Sequence, residues 1–247
     1  MRTALGLIGY PLAHSFSPAW FADRFLRDGA EGWTYELFPM AEVAELPGLL
    51  RSRHDLRGFN VTIPHKQAVL SFLDEMDPLA EQIGAVNTVE VREDGRLVGY
   101  NTDAQAFRHT LQELIGPSFA GKALVLGNGG AALAVQAILT QLSIPYTVVS
   151  RVAAPGRLTY DQVGSREIAA HHLIINTTPL GMSPAVESCP DIPYEEIGST
   201  HFVYDLVYNP EQTLFLNKAI NQGATGKNGL EMLYLQAEYS WQIWTRT

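Results

Sequence analysis

Lys66 and Asp103 are the two residues of this 247-residue chain whose settings best suit proton chemistry. Lys66 closes the stretch Asn60-Val61-Thr62-Ile63-Pro64-His65-Lys66, and Asp103 closes Asn101-Thr102-Asp103. A lysine can donate a proton or hydrogen bond to a developing alkoxide, while a carboxylate pairs with the lysine and accepts from a substrate hydroxyl. Residue type alone assigns neither role, because an isolated lysine or aspartate is usually a solvated surface group. The neighbours add what residue type lacks. Thr62 and Asn87 stand at the ends of apolar runs, and Ser15 and Ser17 follow the first such run. In an open α/β sheet, polar side chains at strand ends converge on one cleft, where they suit a small, hydroxyl-rich substrate. Serines beside proline are also ordinary turn and cap residues, and Asn87 can equally satisfy a backbone group, so on residues alone the two readings stand level.

Downstream lies the loop Gly127-Asn128-Gly129-Gly130-Ala131-Ala132, after the apolar run ending at Leu126 and ahead of a helical stretch. Strand, Gly-x-Gly-x-x-Ala and helix together form the setting of a dinucleotide loop. Gly127 permits the tight turn, Gly129 lets the backbone approach a pyrophosphate, and Ala132 leaves room for helix-to-strand packing. The helix start offers unpaired N–H groups to phosphate. A glycine-rich turn after any strand is the plainer reading. The next strand, Thr147-Val148-Val149, ends in Ser150-Arg151, with no carboxylate at the tip. Arginine there suits the 2′-phosphate of NADP, with Arg157 assisting from the next turn.

Motif order sets the organisation. A dinucleotide enzyme usually opens with its glycine loop, whereas here the polar stretches come first, which predicts a substrate domain ahead of a cofactor domain and chemistry between them. The first segment alternates strands (Ala4 to Gly9, Tyr35 to Phe38, Gly58 to Ile63) with helices (from Ser17-Pro18 towards Gly29, Ala41 to Arg51, His65 to Phe72). Val86 to Arg92 and Leu97 to Tyr100 flank Asp94-Gly95 and read as a hairpin. A helix from Ala104 to about Leu114 leads to strands at Lys122 to Leu126, Pro145 to Val149, His172 to Asn176 and Phe202 to Leu206. Helices are expected from Ala131, Pro210 and Gly229 onwards, the last patterned as a largely buried helix that returns to the first domain.

Composition narrows the function classes. A hydrophobic fraction of 46% and a charged fraction of 17% describe an ordinary globular protein. The net charge of -9 argues against a broad nucleic-acid or anionic-membrane surface. No stretch reaches the ~18 apolar residues of a membrane span, so the chain reads as cytoplasmic. The single cysteine, Cys189, forms no intramolecular disulfide and reads as a bystander. None of the seven histidines shows metal-ligand spacing, so no metal is expected, and His14 reads as a loop-structuring residue. Oligomeric state is left open.

With these motifs in order, the sequence resembles the shikimate dehydrogenase family over nearly its whole length. The resemblance is carried by Gly9-Tyr10-Pro11-Leu12-Ala13-His14-Ser15-Phe16-Ser17-Pro18, the Asn60 to Lys66 stretch, Gly84-Ala85-Val86-Asn87-Thr88, Gly99-Tyr100-Asn101-Thr102-Asp103 and the glycine loop. It continues in Asn176-Thr177-Thr178-Pro179-Leu180-Gly181-Met182, Asp205-Leu206-Val207-Tyr208-Asn209-Pro210, Gly229-Leu230-Glu231-Met232-Leu233 and Gln236-Ala237.

The resemblance implies an α/β protein. An N-terminal α/β substrate domain of residues 1–103 and 227–247 would accompany a Rossmann-type, doubly wound NADP-binding domain of residues 104–226. It implies reversible NADPH-dependent reduction of 3-dehydroshikimate to shikimate, on the way to chorismate and the aromatic amino acids. By the same resemblance Lys66 and Asp103 form the catalytic pair, and Ser15, Ser17, Thr62, Asn87, Tyr208 and Gln236 contact the substrate. Gly127, Asn128, Gly129, Gly130 and Ala131 shape the cofactor loop, Ser150 and Arg151 meet the ribose phosphate, and Thr177, Met182 and Gly229 lie on the nicotinamide side. Departures from the family pattern fall at Ala104 and Asn128, where glycine and alanine are usual, and at Ser150 and Val152, where asparagine and threonine are. Two alternatives stay open: a quinate/shikimate dehydrogenase with broader substrate or cofactor use, and a non-catalytic metabolite-binding regulator on the same fold.

Overall fold

The computed structural model describes every residue except Met1, His14 and Thr247, so the expectation for His14 lies outside the described residues. The chain forms two compact units, residues 1–102 with 235–247 and residues 103–234.

The first unit contains β1 (Thr3–Gly9), α1 (Ser17–Asp28), β2 (Trp33–Pro39), α2 (Leu46–Ser52), β3 (Leu56–Val61), β4 (Glu75–Met76), α3 (Pro78–Ile83), β5 (Thr88–Val91) and β6 (Leu97–Tyr100). Its sheet runs β2-β1-β3-β5-β6-β4. The β2-β1-β3 part is parallel, and β3-β5-β6 is antiparallel. Helix α1 carries Pro18 in its first turn, where a missing N–H costs nothing. One apolar cluster gathers Ile8, Leu46, Phe59, Val61, Val69 and Val89. A second is aromatic, with Trp20, Phe21 and Phe25 of α1 packed on Trp241 and Trp244 of the C-terminal helix. The Trp244 indole donates from Nε1 to the Val89 carbonyl at 2.9 Å, so its polar atom is satisfied inside that cluster.

Helix α4 (Thr102–Ile115) leads into the second unit, with β7 (Ala123–Leu126), α5 (Gly130–Gln141), β8 (Tyr146–Val149), β9 (Arg157–Leu158), α6 (Ser165–Ala170), β10 (Leu173–Asn176), β11 (Phe202–Asp205), α7 (Leu214–Asn221) and β12 (Thr225–Lys227). Helix α8 (Leu230–Thr245) begins in this unit and ends in the first. The sheet order is β12-β11-β10-β7-β8-β9, and the strands pair in parallel throughout. This is the doubly wound order, with its reversal between β7 and β10, where ligands bind beyond the strand C-termini. Burial on both faces explains why β7 and β10 are almost wholly apolar and fully buried.

Three helix expectations are corrected. His65 to Phe72 forms no α-helix, only a 3₁₀ segment at Ala68–Phe72. The Lys66 carbonyl accepts from Val86 N–H at 2.8 Å and so is engaged outside any helical ladder. In Ala41 to Arg51 the α-helix begins only at Leu46, after a 3₁₀ turn at Val43–Glu45, with Pro47 in its first turn. The helix expected from Pro210 starts at Leu214, where the Thr213 side chain caps it by accepting from Leu216 N–H.

Candidate active site

In the first unit, the C-terminal ends of β1 and β3 and the start of β5 present most of the polar residues singled out from sequence. Thr62 follows β3, and its N–H donates to the Ile8 carbonyl at 3.0 Å, which ties the strand ends together. Ser15 Oγ accepts from Ser17 N–H at 3.3 Å at the entry to α1. The Ser17 hydroxyl is hydrogen-bonded to Tyr35. Burial pushes the Tyr35 phenol above its ordinary range, so at neutral pH it is a donor, and it donates to Asn60 Oδ1 at 2.8 Å.

Asn60 is the entry to a buried network. Its Nδ2 lies 3.0 Å from Thr88 Oγ1, 3.0 Å from Ser240 Oγ and 3.2 Å from the Asn87 carbonyl. Asn87 is 3% exposed. Its Oδ1 accepts from Thr102 N–H at 2.7 Å, and its Nδ2 donates to Thr102 Oγ1 at 3.0 Å. Ser240, one helical turn beyond Gln236 on α8, donates to the Gln236 carbonyl at 2.9 Å. This network joins Asn87, Ser17 and Gln236 through Asn60, Tyr35, Thr88, Thr102 and Ser240. Sequence reasoning did not assign those five to the site, although Asn60, Thr88 and Thr102 stood inside the stretches that drew attention.

Lys66 lies in the turn after β3 and is half-buried, close in sequence to the exposed Ile63. Its backbone is set by the Val86 bond and by His65, whose buried ring makes a 2.6 Å hydrogen bond through Nε2 to the Met40 carbonyl. Asp103 occupies the first turn of α4, where the helix dipole favours a carboxylate. The residue before it, Thr102, is the one gripped by Asn87.

In the second unit the glycine loop joins β7 to α5. Gly127 has φ +112°, and a Cβ there would lie 2.6 Å from Thr177 Oγ1, so conformation and crowding both demand glycine. Thr177 Oγ1 in turn donates to the Leu126 carbonyl at 2.8 Å, holding the tips of β7 and β10 together. Asn128, Gly129, Gly130 and Ala131 are exposed, whereas Ala132 is fully buried. A Cβ at Gly129 or Gly130 would meet nothing within 4 Å. The protein therefore leaves open the space that a pyrophosphate needs at the start of α5, whose N-cap, Gly129, offers no side chain to the first amides. These residues fit a dinucleotide.

At the tip of β8 the two arginine-side positions diverge. Ser150 is buried, and its hydroxyl donates to the Val152 carbonyl at 2.6 Å, so it shapes the turn. Arg151 is exposed, and β9 places Arg157 opposite Val148 in the neighbouring strand.

Beyond β10 and β11 a third polar cluster ties the loops of the second unit together. Asn176 Nδ2 donates to Asp205 Oδ1 at 2.9 Å, and Asn176 Oδ1 accepts from Thr178 N–H at 3.0 Å. Asp205 also accepts from Val207 N–H at 3.0 Å and Thr213 Oγ1 at 2.5 Å. Burial raises its carboxyl to about 6 against the opposing pull of those bonds. Ser183 N–H donates to the Asn209 carbonyl at 2.9 Å and Gly229 N–H to the Val207 carbonyl at 3.1 Å. These bonds bring the segments of Met182, Tyr208 and Gly229 together. Met182 is 45% exposed. Gly229 packs so closely on the segment after β11 that a Cβ would sit 2.2 Å from the Leu206 carbonyl oxygen. Among the described residues no His, Cys, Asp or Glu cluster could hold a metal ion, and no helix is long and apolar enough to cross a membrane.

Residues 7–89 match the family model described as the shikimate dehydrogenase substrate binding domain. A protein of Desulforamulus reducens named shikimate dehydrogenase (NADP(+)) is 38% identical over 262 residues, covering 97% of this chain and 89% of its own. The crystal structure of shikimate 5-dehydrogenase from Thermus thermophilus in complex with NADP(H) and shikimate matches with a TM-score of 0.85 at 34% identity, covering 99% of this chain and 94% of that one. Quinate dehydrogenase from Corynebacterium glutamicum in complex with NAD matches with a TM-score of 0.86 at 28% identity, over 99% of this chain and 94% of that one. Identity of this order along nearly the whole of both chains has one consequence: the protein belongs to the shikimate dehydrogenase family.

Proposed function

We propose that Lys66 and Asp103 carry the proton chemistry of this chain's reaction, and that the polar network of the first unit orders the substrate. The reaction is the reversible, NADPH-dependent reduction of 3-dehydroshikimate to shikimate. The observation that carries it is the 38% identity over 97% of the chain to a shikimate dehydrogenase (NADP(+)).

When bound, NADP supplies the hydride for reduction or accepts it for oxidation. The chain must hold the substrate carbon in place and manage one proton at the C3 oxygen. Lys66 donates that proton, and Asp103 accepts a hydrogen bond from a neighbouring substrate hydroxyl and orients the lysine. Asn87 gives one amide hydrogen to Thr102 and keeps the second for a substrate oxygen. Ser15, Ser17 and Thr62 contribute hydroxyls from the strand ends, and Tyr208 and Gln236 complete the substrate contacts. Gly127 to Ala131 receive the pyrophosphate, Thr177, Met182 and Gly229 adjoin the nicotinamide, and Arg151 pairs with the ribose 2′-phosphate. Ser150 serves that arginine by fixing its turn.

On this reading residues 1–103 and 227–247 act as the substrate domain and residues 104–226 as the cofactor domain. The single cysteine and the NADP-linked reaction suit a cytoplasmic enzyme acting on a small molecule rather than on nucleic acid. Purified protein with shikimate and NADP⁺ should raise absorbance at the reduced-nicotinamide band. Parallel runs with NAD⁺ and with quinate test the choice of cofactor and substrate. Faster turnover of quinate would replace this substrate assignment, and binding of both ligands without turnover would leave a metabolite-binding protein.

A further inference from the structure

We propose that Ser240 is a positioning residue for the substrate, acting through Asn87, Thr102 and Gln236. The inference rests on the reading that Asn87 and Gln236 meet the substrate. Ser240 itself is fully buried on α8 and belongs to no motif that drew attention in the sequence.

Assigning the Ser240 hydrogen to the Gln236 carbonyl, which can only accept, sets the polarity of the cluster. Ser240 Oγ lies 2.8 Å from Thr88 Oγ1 and 3.2 Å from Thr102 Oγ1, and Thr88 and Thr102 lie 3.1 Å apart. Three hydroxyls therefore touch one another in a closed triangle, and each has one hydrogen to give. Ser240 gives its own to the Gln236 carbonyl. Its oxygen is then an acceptor only, for Thr88 and for Asn60 Nδ2. With the Thr88 hydrogen drawn to Ser240, the hydroxyl hydrogen of Thr102 goes to Asn87 Oδ1, 3.2 Å away, beside the Thr102 N–H that already binds there. That polarity presents Thr102 Oγ1 as the acceptor for one Asn87 amide hydrogen and leaves the other pointing to a different partner.

Removing the Ser240 hydroxyl frees the Thr88 hydrogen to compete for Asn87 Oδ1, 3.2 Å away. Two threonine hydroxyls then contend for one amide oxygen, and the Asn87 side chain loses its single defined orientation. The Gln236 carbonyl loses its side-chain donor on the same helix face. Neither change touches the glycine loop or Arg151, so the loss should fall on the substrate and not on the dinucleotide.

The test compares Ser240→Ala and Ser240→Cys with the parent, whose turnover of shikimate with NADP⁺ is measured first and stands or falls separately. The expected result is a rise of about five- to tenfold in the KM for shikimate in the alanine variant, the size of one neutral hydrogen bond. The Kd for NADP⁺ should stay within about twofold, and the cysteine variant, with its weak S–H donor, should fall between parent and alanine. An unchanged KM overturns the proposal, whatever happens to Tm. So does a matched loss in both ligands, which is what general loosening of the fold produces. If the alanine variant does not fold, the cysteine variant decides by the same two readings.

Discussion

Asn176 and Asp205 share a hydrogen bond of 2.9 Å across the C-terminal tips of β10 and β11, next to the reversal of strand order in the second unit. The carboxylate is fully buried and also receives Val207 N–H and Thr213 Oγ1, so one side chain fixes two strand tips and the cap of α7. Such a group stabilises geometry at a cost in desolvation, and that cost depends on pH.

The carboxyl titrates at about 6 in the folded chain, against an ordinary value of 3.8. Its folded value is raised, so the folded state holds the proton more tightly, and this contribution to stability is full below about pH 4 and lost as pH rises through 6. Asp205→Asn keeps the neutral form at all pH values. Its stability relative to the parent should therefore improve between about pH 4.5 and 7.5, by roughly 2 kcal/mol. Denaturant unfolding of both proteins at the two pH values measures the difference, and a variant whose stability relative to the parent stays level or falls on raising the pH contradicts the assignment.

Such networks explain what the sequence concealed. The bond between Asn60 and Ser240 joins residues 180 positions apart, and that between Asn176 and Asp205 joins residues 29 apart. No local spacing marks such partners. By contrast, Gly127 to Ala132 were legible because strand, turn and helix follow in one short window, and Ser17-Pro18 announced α1 for the same reason. The two-residue strands Glu75–Met76 and Arg157–Leu158 are too short to show a period, and pairing alone makes them strands. Lys66 stood out by residue type and stretch, without its setting. The 3₁₀ segment after it depends on a carbonyl bond to Val86, far along the chain, and no propensity reveals that.

Lys66 and Asp103 should separate chemistry from binding. Lys66→Ala should retain shikimate and NADP⁺ affinity within a few-fold and lose about a hundredfold to ten-thousandfold in kcat, the range for a positioned acid or base. Asp103→Asn should lose turnover and also weaken shikimate, because the role proposed for it is to accept a hydrogen bond from a substrate hydroxyl. Steady-state kinetics with direct ligand titration distinguishes the two. Near-parent turnover in Lys66→Ala removes the lysine from the reaction.

Two glycines of one loop should fail in different ways. Gly127 has φ +112°, and an added Cβ meets Thr177 Oγ1 at 2.6 Å, so Gly127→Ala should lower Tm by several degrees. At Gly129 the added methyl enters open space, so Gly129→Ala should melt with the parent. On the proposed reading the pyrophosphate occupies that space, so NADP⁺ affinity of this variant should drop by about tenfold or more. Thermal melts and NADP⁺ titration of both variants give four readings. Equal Tm losses, or intact NADP⁺ binding in Gly129→Ala, would separate the loop from the cofactor.

Arg151 should govern the choice of cofactor without help from the serine before it. The Ser150 hydroxyl is committed to the Val152 carbonyl at 2.6 Å, which leaves the exposed Arg151 as the charged group at the tip of β8. A charge-assisted contact contributes roughly 1.5–3 kcal/mol, so Arg151→Ala should cut kcat/KM for NADP⁺ by about tenfold to a hundredfold. The value for NAD⁺, which has no 2′-phosphate, should scarcely move. Ser150→Ala should act through the turn, lowering NADP⁺ affinity by a smaller factor than Arg151→Ala does. If Ser150→Ala proves the more damaging of the two, the serine and not the arginine is the phosphate ligand.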